Sequence, residues 1–150
     1  IGIEAQADTY YRAPFRDFAE TDEALRIRVQ DRKFFLTYKG PKIDSVSKTR
    51  KEYEIEVNDA DILGNILSSM DFSPVATIVK KRKKYRLGDF IISLDEVRKL
   101  GNFIEIEVSI QDSKSYEEKV ESIFRLFEKM GLGRDESIRK SYLEMMLEIS

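Results

Sequence analysis

Charged side chains stand at every second position from Lys48 to Glu56, with apolar side chains between them from Tyr53 onward, and this stretch is the clearest pattern in the chain. Every second side chain is charged, and the side chains between them include Tyr53, Ile55 and Val57. A period of two is typical of a β-strand with one face against a core. The opposite face carries Arg50, Glu52, Glu54 and Glu56. For this strand alone, a charged face in bulk water is a more ordinary interpretation than a charged face that lines a cavity.

The same alternation predicts six further strands, separated by turn-forming residues. The predicted strands are Ile3 to Tyr11, Ala24 to Gln30, Lys33 to Lys39, Val75 to Leu87, Phe90 to Glu96 and Phe103 to Ile110. Asp31-Arg32 and Gly88-Asp89 are two-residue connections that favour hairpins, and Gly40-Pro41 is expected to end a strand. We predict loops over Arg16 to Glu23 and over Lys42 to Ser47.

Apolar residues at helical spacing predict three amphipathic helices. Asn58 or Asp59 caps the first, which ends near Met70. Ser115 begins a capping box for the second, and the last begins near Asp135. The apolar stripes are Ile62, Leu63, Ile66, Leu67 and Met70 in the first helix, Val120, Ile123, Phe124, Phe127 and Met130 in the second, and Ile138, Tyr142, Met145, Met146 and Ile149 in the last. These stripes indicate packing surfaces rather than a cofactor site.

The order of these elements indicates an internal repeat. From Lys48 onward the order is strand, helix and three strands, whereas Ile3 to Lys39 contains three strands only. If the two halves match, a strand and a helix belong upstream of Ile1, and the chain does not begin with Met. We therefore expect one α+β domain over residues 1–150. It would be an eight-stranded antiparallel β-barrel with helices packed outside, whose first strand and helix are missing from this chain.

The composition limits the chemistry that the chain can perform. With 150 residues, 41% hydrophobic and 36% charged, it is long enough for one globular domain with a real core. The absence of His and Cys excludes Ser-His-Asp and Cys-His nucleophiles and the usual zinc sites. The absence of Cys also favours a reducing, cytoplasmic location, and no apolar run reaches the length of a membrane span. The net charge of −2 argues against general affinity for nucleic acids.

Charged side chains share one face on nearly every predicted strand. They are Arg26, Arg28, Lys39, Arg50, Glu52, Glu54, Glu56, Lys80, Arg82, Lys84, Asp95, Glu105 and Glu107. If the aliphatic faces pack against the helices, these charged faces converge inside a curved sheet. Clusters of Arg and Lys suit phosphates, and paired carboxylates suit Mg²⁺ or Mn²⁺. A polar tunnel filled by an anionic ligand and metal ions is therefore the alternative to a solvated surface.

The chain resembles a known family in the order and spacing of seven short stretches. They are Asp22 to Arg28, Phe35 to Pro41, Thr49 to Glu56, Lys80 to Tyr85, Leu94 to Val97, Leu100 to Glu107 and Ser141 to Glu144. Together they are similar to the CYTH domain of class IV adenylyl cyclases and thiamine triphosphatases, the triphosphate tunnel metalloenzymes. The resemblance implies an eight-stranded antiparallel barrel whose bore binds a triphosphate. The family's leading Glu-x-Glu-x-Lys signature is absent, and Ile3 to Gln6 is no substitute because its neighbours match the second strand.

The resemblance also implies roles for the charged residues. Phosphate oxygens would be bound by Arg26, Arg28, Lys39, Arg50, Lys80 and Arg82. One or two metal ions, Mg²⁺ or Mn²⁺, would be bound by Glu52, Glu54, Asp95, Glu105 and Glu107. The expected catalytic residues are Lys39, Glu54 and Arg82. Glu56 and Lys84 are more typical of structural ion pairs.

The expected activity is metal-dependent hydrolysis of an inorganic, nucleoside or thiamine triphosphate, which the bore positions and neutralises. Attack by a ribose 3′-hydroxyl on the α-phosphorus would instead make the chain an adenylyl cyclase that forms cyclic AMP from ATP. A third interpretation is a non-enzymatic module that binds polyphosphate or nucleotides. RNA binding through Lys80 to Arg86 is disfavoured, because alternate side chains of a barrel strand point in opposite directions. We expect the protein to bind a small-molecule triphosphate and not to bind a membrane. The sequence leaves undecided whether the chain forms a homodimer.

Overall fold

Seven antiparallel strands form one sheet in the computed structural model, which describes residues 2–43, 50–108, 116–133, 138 and 140–149. The strands are β1 (Gly2–Arg12), β2 (Ala24–Gln30), β3 (Lys33–Lys42), β4 (Arg50–Val57), β5 (Ser73–Leu87), β6 (Phe90–Val97) and β7 (Gly101–Val108). The helices are α1 (Phe18–Thr21), α2 (Ala60–Ser69), α3 (Tyr116–Lys129) and α4 (Tyr142–Ile149). Along the sheet the strand order is β4-β3-β2-β1-β5-β6-β7.

The sheet has two similar halves that meet at the central pair of β1 and β5. β1, β2 and β3 are consecutive neighbours on one side, and β5, β6 and β7 on the other. β4 extends the first half beyond β3, while no described strand pairs with the outer edge of β7. This order agrees with the predicted repeat, and the predicted antiparallel α+β class is confirmed. The described strands form an open sheet, with β4 and β7 at its edges.

Backbone geometry explains how β2, β3 and β4 are connected. Asp31 and Arg32 both have positive φ, 50° and 65°, and form the tight turn predicted between β2 and β3. The predicted end of β3 at Gly40-Pro41 is wrong, because the strand continues to Lys42. Its pairing with β4 shifts register between Lys39 and Lys42, so the proline, which has no N–H, lies in the irregular part of the ladder.

Other predicted boundaries differ by a few residues or lie outside the described part of the chain. β7 begins at Gly101, two residues before its predicted start. Lys48 and Thr49, predicted to begin β4, lie outside the described residues, as do Ile110 and the capping box at Ser115.

Aspartate side chains cap two of the helices. The segment between β1 and β2, predicted as a loop, contains α1, in which Asp17 accepts a hydrogen bond from the N–H of Ala19 at 2.9 Å. Phe18 is buried and anchors this turn to the domain, a role that the polar composition of the segment conceals. Asp59 caps α2 as predicted and accepts from the N–H of Ile62 at 2.9 Å.

α2 packs against the rest of the domain through part of its predicted stripe. Leu67 of that stripe is buried and Leu63 is half-buried. A Cβ on Gly64 would lie in ordinary contact, 3.6 Å from the oxygen of Tyr11 in β1. The other three members of the predicted stripe are exposed: Ile62, Ile66 and Met70. The prediction that these three side chains cover the sheet is therefore wrong, because α2 is buried along Leu63 and Leu67 instead.

The two faces of the sheet differ in character, and we call the face that carries Asp8, Arg26 and Arg82 the inner face. At one end of the inner face, a buried core of Tyr10, Ile78 and Val97 contacts α4. The residues packed against this core are Ala24, Leu100, Phe103, Tyr142, Leu143 and Met146. The helical stripe predicted for the outside of a barrel therefore covers an end of the inner face, because that end is apolar.

The last two helices are shorter or less completely buried than predicted. α4 begins at Tyr142 and not near Asp135, since Ile138, Lys140 and Ser141 are described and are not helical. In α3 the buried members of the predicted stripe are Val120 and Phe124, while Met130 is exposed. None of the described helices has the length and apolarity needed to span a membrane.

Candidate functional site

The inner face brings together the charged residues selected from the sequence. Strand pairing places Arg26 beside Thr37, and Thr37 beside Glu54. In the other half of the sheet, Arg82 pairs with Asp95. The predicted site residues all line one cavity of about 1660 Å³: Arg26, Arg28, Lys39, Arg50, Glu52, Glu54, Lys80, Arg82, Asp95, Glu105 and Glu107. The charges therefore surround one space rather than a dispersed surface.

Asp8 of β1 is the centre of a buried group of charges that we call the Asp8 cluster (Asp8, Arg26, Arg28 and Lys80). Asp8 has no exposed surface and accepts hydrogen bonds from Nε and Nη2 of Arg28 at 2.7 and 2.8 Å. Nζ of Lys80 and Nη1 of Arg26 lie 3.4 and 3.9 Å from Asp8 Oδ2. Although burial alone would raise the pKa of Asp8, the hydrogen bond from Arg28 and the positive charges of Lys80 and Arg26 lower it to about 2. The ionised carboxylate compensates one of three surrounding positive charges.

Lys80 is a buried cation among other cations. Burial and the like charges of Arg82 and the two arginines of β2 lower the pKa of its ammonium group to about 8, against the attraction of Asp8. The ring of Tyr142 in α4 lies 5.2 Å from Nζ. An additional anion next to Lys80 would stabilise its charged form.

Arg82 belongs to a second buried network on the inner face. Its Nε and Nη2 donate to the two oxygens of Asp95 at 2.6 Å each, and Nη2 also donates to Glu105 at 2.9 Å. The hydroxyl of Tyr142 donates to Asp95 Oδ2 at 2.7 Å. Burial alone would lower the pKa of Arg82, but the hydrogen bond to Asp95 raises it. For Tyr142, burial and the hydrogen bond to the same carboxylate both raise the pKa. Both groups therefore keep their protons.

Arg26 has the longest carboxylate contacts in the Asp8 cluster. Its Nε atom is buried and has no hydrogen-bond partner among the described residues. Its Nη1 and Nη2 atoms lie 3.9 Å from Asp8 Oδ2 and 3.9 Å from Glu54 Oε2, respectively. Buried donors in native proteins are nearly always satisfied, and a guanidinium group suits the oxygens of a phosphate. Arg26 is thus well placed to receive an anionic ligand.

The carboxylates of β4 are exposed and held by single contacts. Glu54 accepts a hydrogen bond from Oγ1 of Thr37 at 2.8 Å, and Glu52 Oε1 lies 3.2 Å from Nζ of Lys39. The side chains of these glutamates are 45% and 50% exposed, because β4 has a neighbour on one side only among the described strands. They can therefore change position when a ligand or metal ion binds.

Glu105 and Glu107 place two carboxyl groups close together on β7. Partial burial, together with the negative charge of Glu105 and a hydrogen bond with it, raises the pKa of Glu107. A divalent cation would relieve this repulsion, and Mg²⁺ commonly uses one or two protein carboxylates along with waters and substrate phosphates. Within the described part of the chain, no group of three acidic residues converges on a single point. The pair therefore fits a metal ion that is shared with a substrate.

Arg50 lies away from the Asp8 cluster, at the end of the cavity next to α4. Its Nη2 and the Nζ of Lys42 donate to the same oxygen of Asp22, at 3.1 and 2.9 Å. Lys42 also lies 3.9 Å from Glu144 of α4. Arg50 thus has a carboxylate partner in a network that joins β3, β4 and α4, and its role as a phosphate ligand stays a prediction.

Asp8 and Tyr142 belong to the charged networks but were not among the site residues predicted from the sequence. Asp8 was detectable, since Glu4, Gln6 and Asp8 alternate with smaller residues along a predicted strand. Tyr142 was not, because its position in an apolar helical stripe indicates packing. Its ring does pack, 5.1 Å from that of Phe103, while its hydroxyl reaches into the charged network.

A second part of the cavity is apolar. Its lining comes from α3, α4 and the segment that follows α3: Ile123, Phe124, Phe127, Leu132, Leu143 and Leu147. A cavity with both charged and apolar walls suits a ligand that has an anionic part and an apolar part.

The family model of the CYTH domain matches residues 1–142. The chain therefore belongs to the CYTH domain family, in agreement with the resemblance seen in the sequence.

Several individual proteins are similar to this chain over most of its length. The protein of Methanocaldococcus jannaschii named "Putative adenylate cyclase MJ0240" is 44% identical over 140 residues, which are 93% of this chain and 80% of that protein. "Adenylate cyclase CyaB" of Aeromonas hydrophila is 23% identical over 139 residues, which are 91% of this chain and 70% of that protein. The solved structure of the PH1819 protein from Pyrococcus horikoshii OT3 has 43% sequence identity and a TM-score of 0.93, and the match covers 100% of this chain and 87% of that one.

Proposed function

We propose that this chain hydrolyses a triphosphate, with the help of Mg²⁺ or Mn²⁺, in the cavity on the inner face. The observation that carries the proposal is the Asp8 cluster, where three cations surround one carboxylate and Nε of Arg26 lacks a partner among the described residues. A multiply charged anion would neutralise the excess positive charge and satisfy that donor. Membership of the CYTH family supports a triphosphate as this anion.

The side chains predicted to bind phosphate differ in how many of their hydrogen-bond donors already contact protein carboxylates. Arg26 and Lys80 have contacts of 3.4 Å or longer with Asp8, so both can approach phosphate oxygens. Arg28 and Arg82 each donate two short hydrogen bonds to a single carboxylate, which leaves them one outward edge. We assign the first contacts with the triphosphate to Arg26 and Lys80. Lys39, whose side chain is 26% exposed, would approach from β3, and Arg50 would contact the end of the substrate next to α4.

Hydrolysis requires an oriented water molecule and stabilisation of the charge on the phosphate oxygens. Glu54, held by Thr37 and close to Arg26, would accept a proton from the water as its oxygen bonds to the terminal phosphorus. The bond from that phosphorus to the bridging oxygen breaks, and diphosphate leaves when the substrate is inorganic triphosphate. Lys39 and Arg82 would donate hydrogen bonds to the oxygens that gain charge.

The carboxylates on the two edge strands would hold the metal ion. Glu105 and Glu107 interact with one another, Glu52 and Glu54 are exposed, and Asp95 is occupied by Arg82 and Tyr142. When bound, Mg²⁺ or Mn²⁺ would act as a Lewis acid on the phosphate oxygens and neutralise part of their charge.

Cyclisation of ATP is the second candidate, favoured by the apolar wall of the cavity. The side chains of α3 and α4 could contact an adenine base while the Asp8 cluster binds the phosphates. The curated names of the relatives from Methanocaldococcus jannaschii and Aeromonas hydrophila support this candidate. The ribose 3′-hydroxyl would then replace water as the nucleophile, and diphosphate would be released from the α-phosphorus.

The test is product analysis with purified protein and inorganic triphosphate, ATP or thiamine triphosphate, each with Mg²⁺ and with Mn²⁺. Orthophosphate as a product supports hydrolysis, whereas cyclic AMP with diphosphate supports the cyclase. Binding of these compounds without any product would replace both proposals with a non-enzymatic binding module. Absence of both turnover and binding would contradict the assignment of the cavity.

A further inference from the structure

Asp8 is a fully buried acid at the centre of a site for which we propose an anionic substrate. Since a carboxylate repels phosphate, Asp8 weakens the attraction of the cavity for a triphosphate if charge alone is considered. Its contacts indicate another role. It bonds to one of the three cations at 2.7 and 2.8 Å and lies at 3.4 and 3.9 Å from the other two.

We propose that Asp8 is a positioning residue of the triphosphate site, which holds Arg28 as a structural partner and keeps Arg26 and Lys80 directed into the cavity. This inference rests on the proposed function for its substrate. The positioning itself can be measured without turnover.

The geometry of the three contacts supports a structural role for Arg28 and a ligand-binding role for Arg26 and Lys80. Arg28 forms two parallel hydrogen bonds with both carboxylate oxygens, an arrangement that fixes the plane of the guanidinium group. Arg26 and Lys80 are attracted to one oxygen, Oδ2, at distances that leave their donors available. Both are buried, so their side chains have few other positions to adopt once Asp8 holds them.

Asp8 also sets the charge state of Lys80. The groups that face Lys80 are Asp8 and the neutral Gln6 from β1, Tyr142 from α4, and the arginines Arg26, Arg28 and Arg82 from β2 and β5. Asp8 is the attractive charge in this set, and the pKa of Lys80 is already about 8. Loss of Asp8 would leave the ammonium group facing three like charges, and its pKa would fall further.

Two substitutions should shift the titration of Lys80 in opposite directions. Asp8→Asn removes the attractive charge and should lower the pKa of Lys80 by about one unit, which is a tenfold change in its proton affinity. Arg28→Gln removes a repulsive charge and releases Asp8 towards Lys80, so the pKa should rise. The measurement is an NMR titration of the Lys80 side chain in the full chain without substrate or metal.

Binding of inorganic triphosphate without metal, measured by calorimetry from about pH 6.5 to about pH 9.5, gives the second readout. In Asp8→Asn, binding should weaken although a negative charge has been removed, and the loss should increase as pH rises. In Arg28→Gln, the decline of binding at high pH should begin at a higher pH than in the parent. A general loss of structure would weaken binding at every pH and shift neither titration.

Glu23→Gln is the matched control, because Glu23 accepts an equally short two-point contact from Arg16, at 2.7 Å for each bond, outside the Asp8 cluster. It should leave the titration of Lys80 unchanged. An unchanged Lys80 titration in Asp8→Asn, or tighter binding with the parent pH dependence, overturns the inference. If Asp8→Asn does not fold, the inference is judged from Arg28→Gln alone. A rise in the pKa of Lys80 in that variant supports the inference, and a fall overturns it. A parent protein that binds no triphosphate overturns the proposed function, whereas the Lys80 titration still judges the role of Asp8.

Discussion

The central strands and the edge strands of the sheet hold their charges in different ways. On the central strands, Asp8, Arg82 and Asp95 are almost completely buried and joined by short two-point hydrogen bonds. On the edge strands, the side chain of Glu54 is 45% exposed with one short contact, and Glu107 is only partly buried beside another acid. The same residue types are thus fixed in one region and adjustable in the other.

This difference follows from strand position. A central strand has a neighbour on both sides, so its charged side chains meet partners from both and lose contact with water. An edge strand has a neighbour on one side, and its acids keep much of their hydration. Fixed cations suit the recognition of phosphates, whose geometry is constant, and hydrated acids suit Mg²⁺, which retains waters and requires adjustable ligands. The predictions below test this comparison.

The largest expected effect is on stability, from breaking the buried pair on the central strands. Arg82→Ala leaves Asp95 buried with the hydroxyl of Tyr142 and should lower the free energy of unfolding by about 4 kcal/mol. Urea unfolding of both proteins measures this value. Lys140→Ala, which removes a contact with Glu148 between two exposed side chains, should leave the unfolding midpoint nearly unchanged. Equal losses from the two substitutions would show that central position is not what matters.

The next effect is on turnover, from an acid of an edge strand. Glu54→Ala should reduce metal-dependent turnover by an amount that corresponds to ~3 kcal/mol while unfolding is little affected. Some binding of triphosphate should remain, because a repulsive charge is removed together with the carboxylate. Glu56→Ala on the same face of β4 is the control and should keep the parent rate. Full activity in Glu54→Ala would leave this carboxylate as a structural partner of Thr37.

Acid should remove a smaller amount of stability from the central strands. The pKa of Asp8 is about 2 in the folded chain against an ordinary value of 3.8, so folding favours its ionised form. This stabilisation is complete above about pH 4, falls as the pH approaches 2, and amounts to about 2 kcal/mol. Unfolding by urea at several pH values should show this acid-dependent component in the parent and not in Asp8→Asn. Parallel pH profiles would mean that Asp8 titrates normally.

The smallest effect is expected where α4 contacts the central network. Tyr142→Phe removes the hydroxyl that donates to Asp95 but leaves the ring and both bonds from Arg82, so unfolding should become easier by about 1 kcal/mol. Tyr85→Phe, at an exposed tyrosine, is the control and should have no measurable effect. A loss as large as that of Arg82→Ala would mean that α4 and the sheet depend on this single contact.

The strand pattern could be predicted because its cause is local. Side chains alternate between the faces of any strand, so the spacing predicts that Arg26, Glu54, Lys80 and Asp95 each lie opposite the apolar face of their own strand. Asp31-Arg32 likewise acts as a turn through its own backbone. The ends of β3 and α4 could not be predicted in this way, since a register shift next to Pro41 and the contacts of Tyr142 depend on distant parts of the chain.

The residues selected by charge line one cavity, but the partners that they contact could not be selected in the same way. Spacing shows that Arg28 and Arg82 face inwards, but not that Asp8 and Asp95 already bind them. Those partners come from strands that pairing brings together.

The pairing of β1 with β5 also affects how the protein folds. Asp8 and Lys80 are separated by 72 residues in the chain, whereas the hairpins β2–β3 and β5–β6 are closed by short turns. Local contacts lose less chain entropy and generally form early, so we expect the two hairpins to precede the central pair. The Asp8 cluster can assemble only when the central pair forms, late in folding. The free energy needed to bring its charges together is then part of the folding barrier, and a bound substrate meets cations that are already in position.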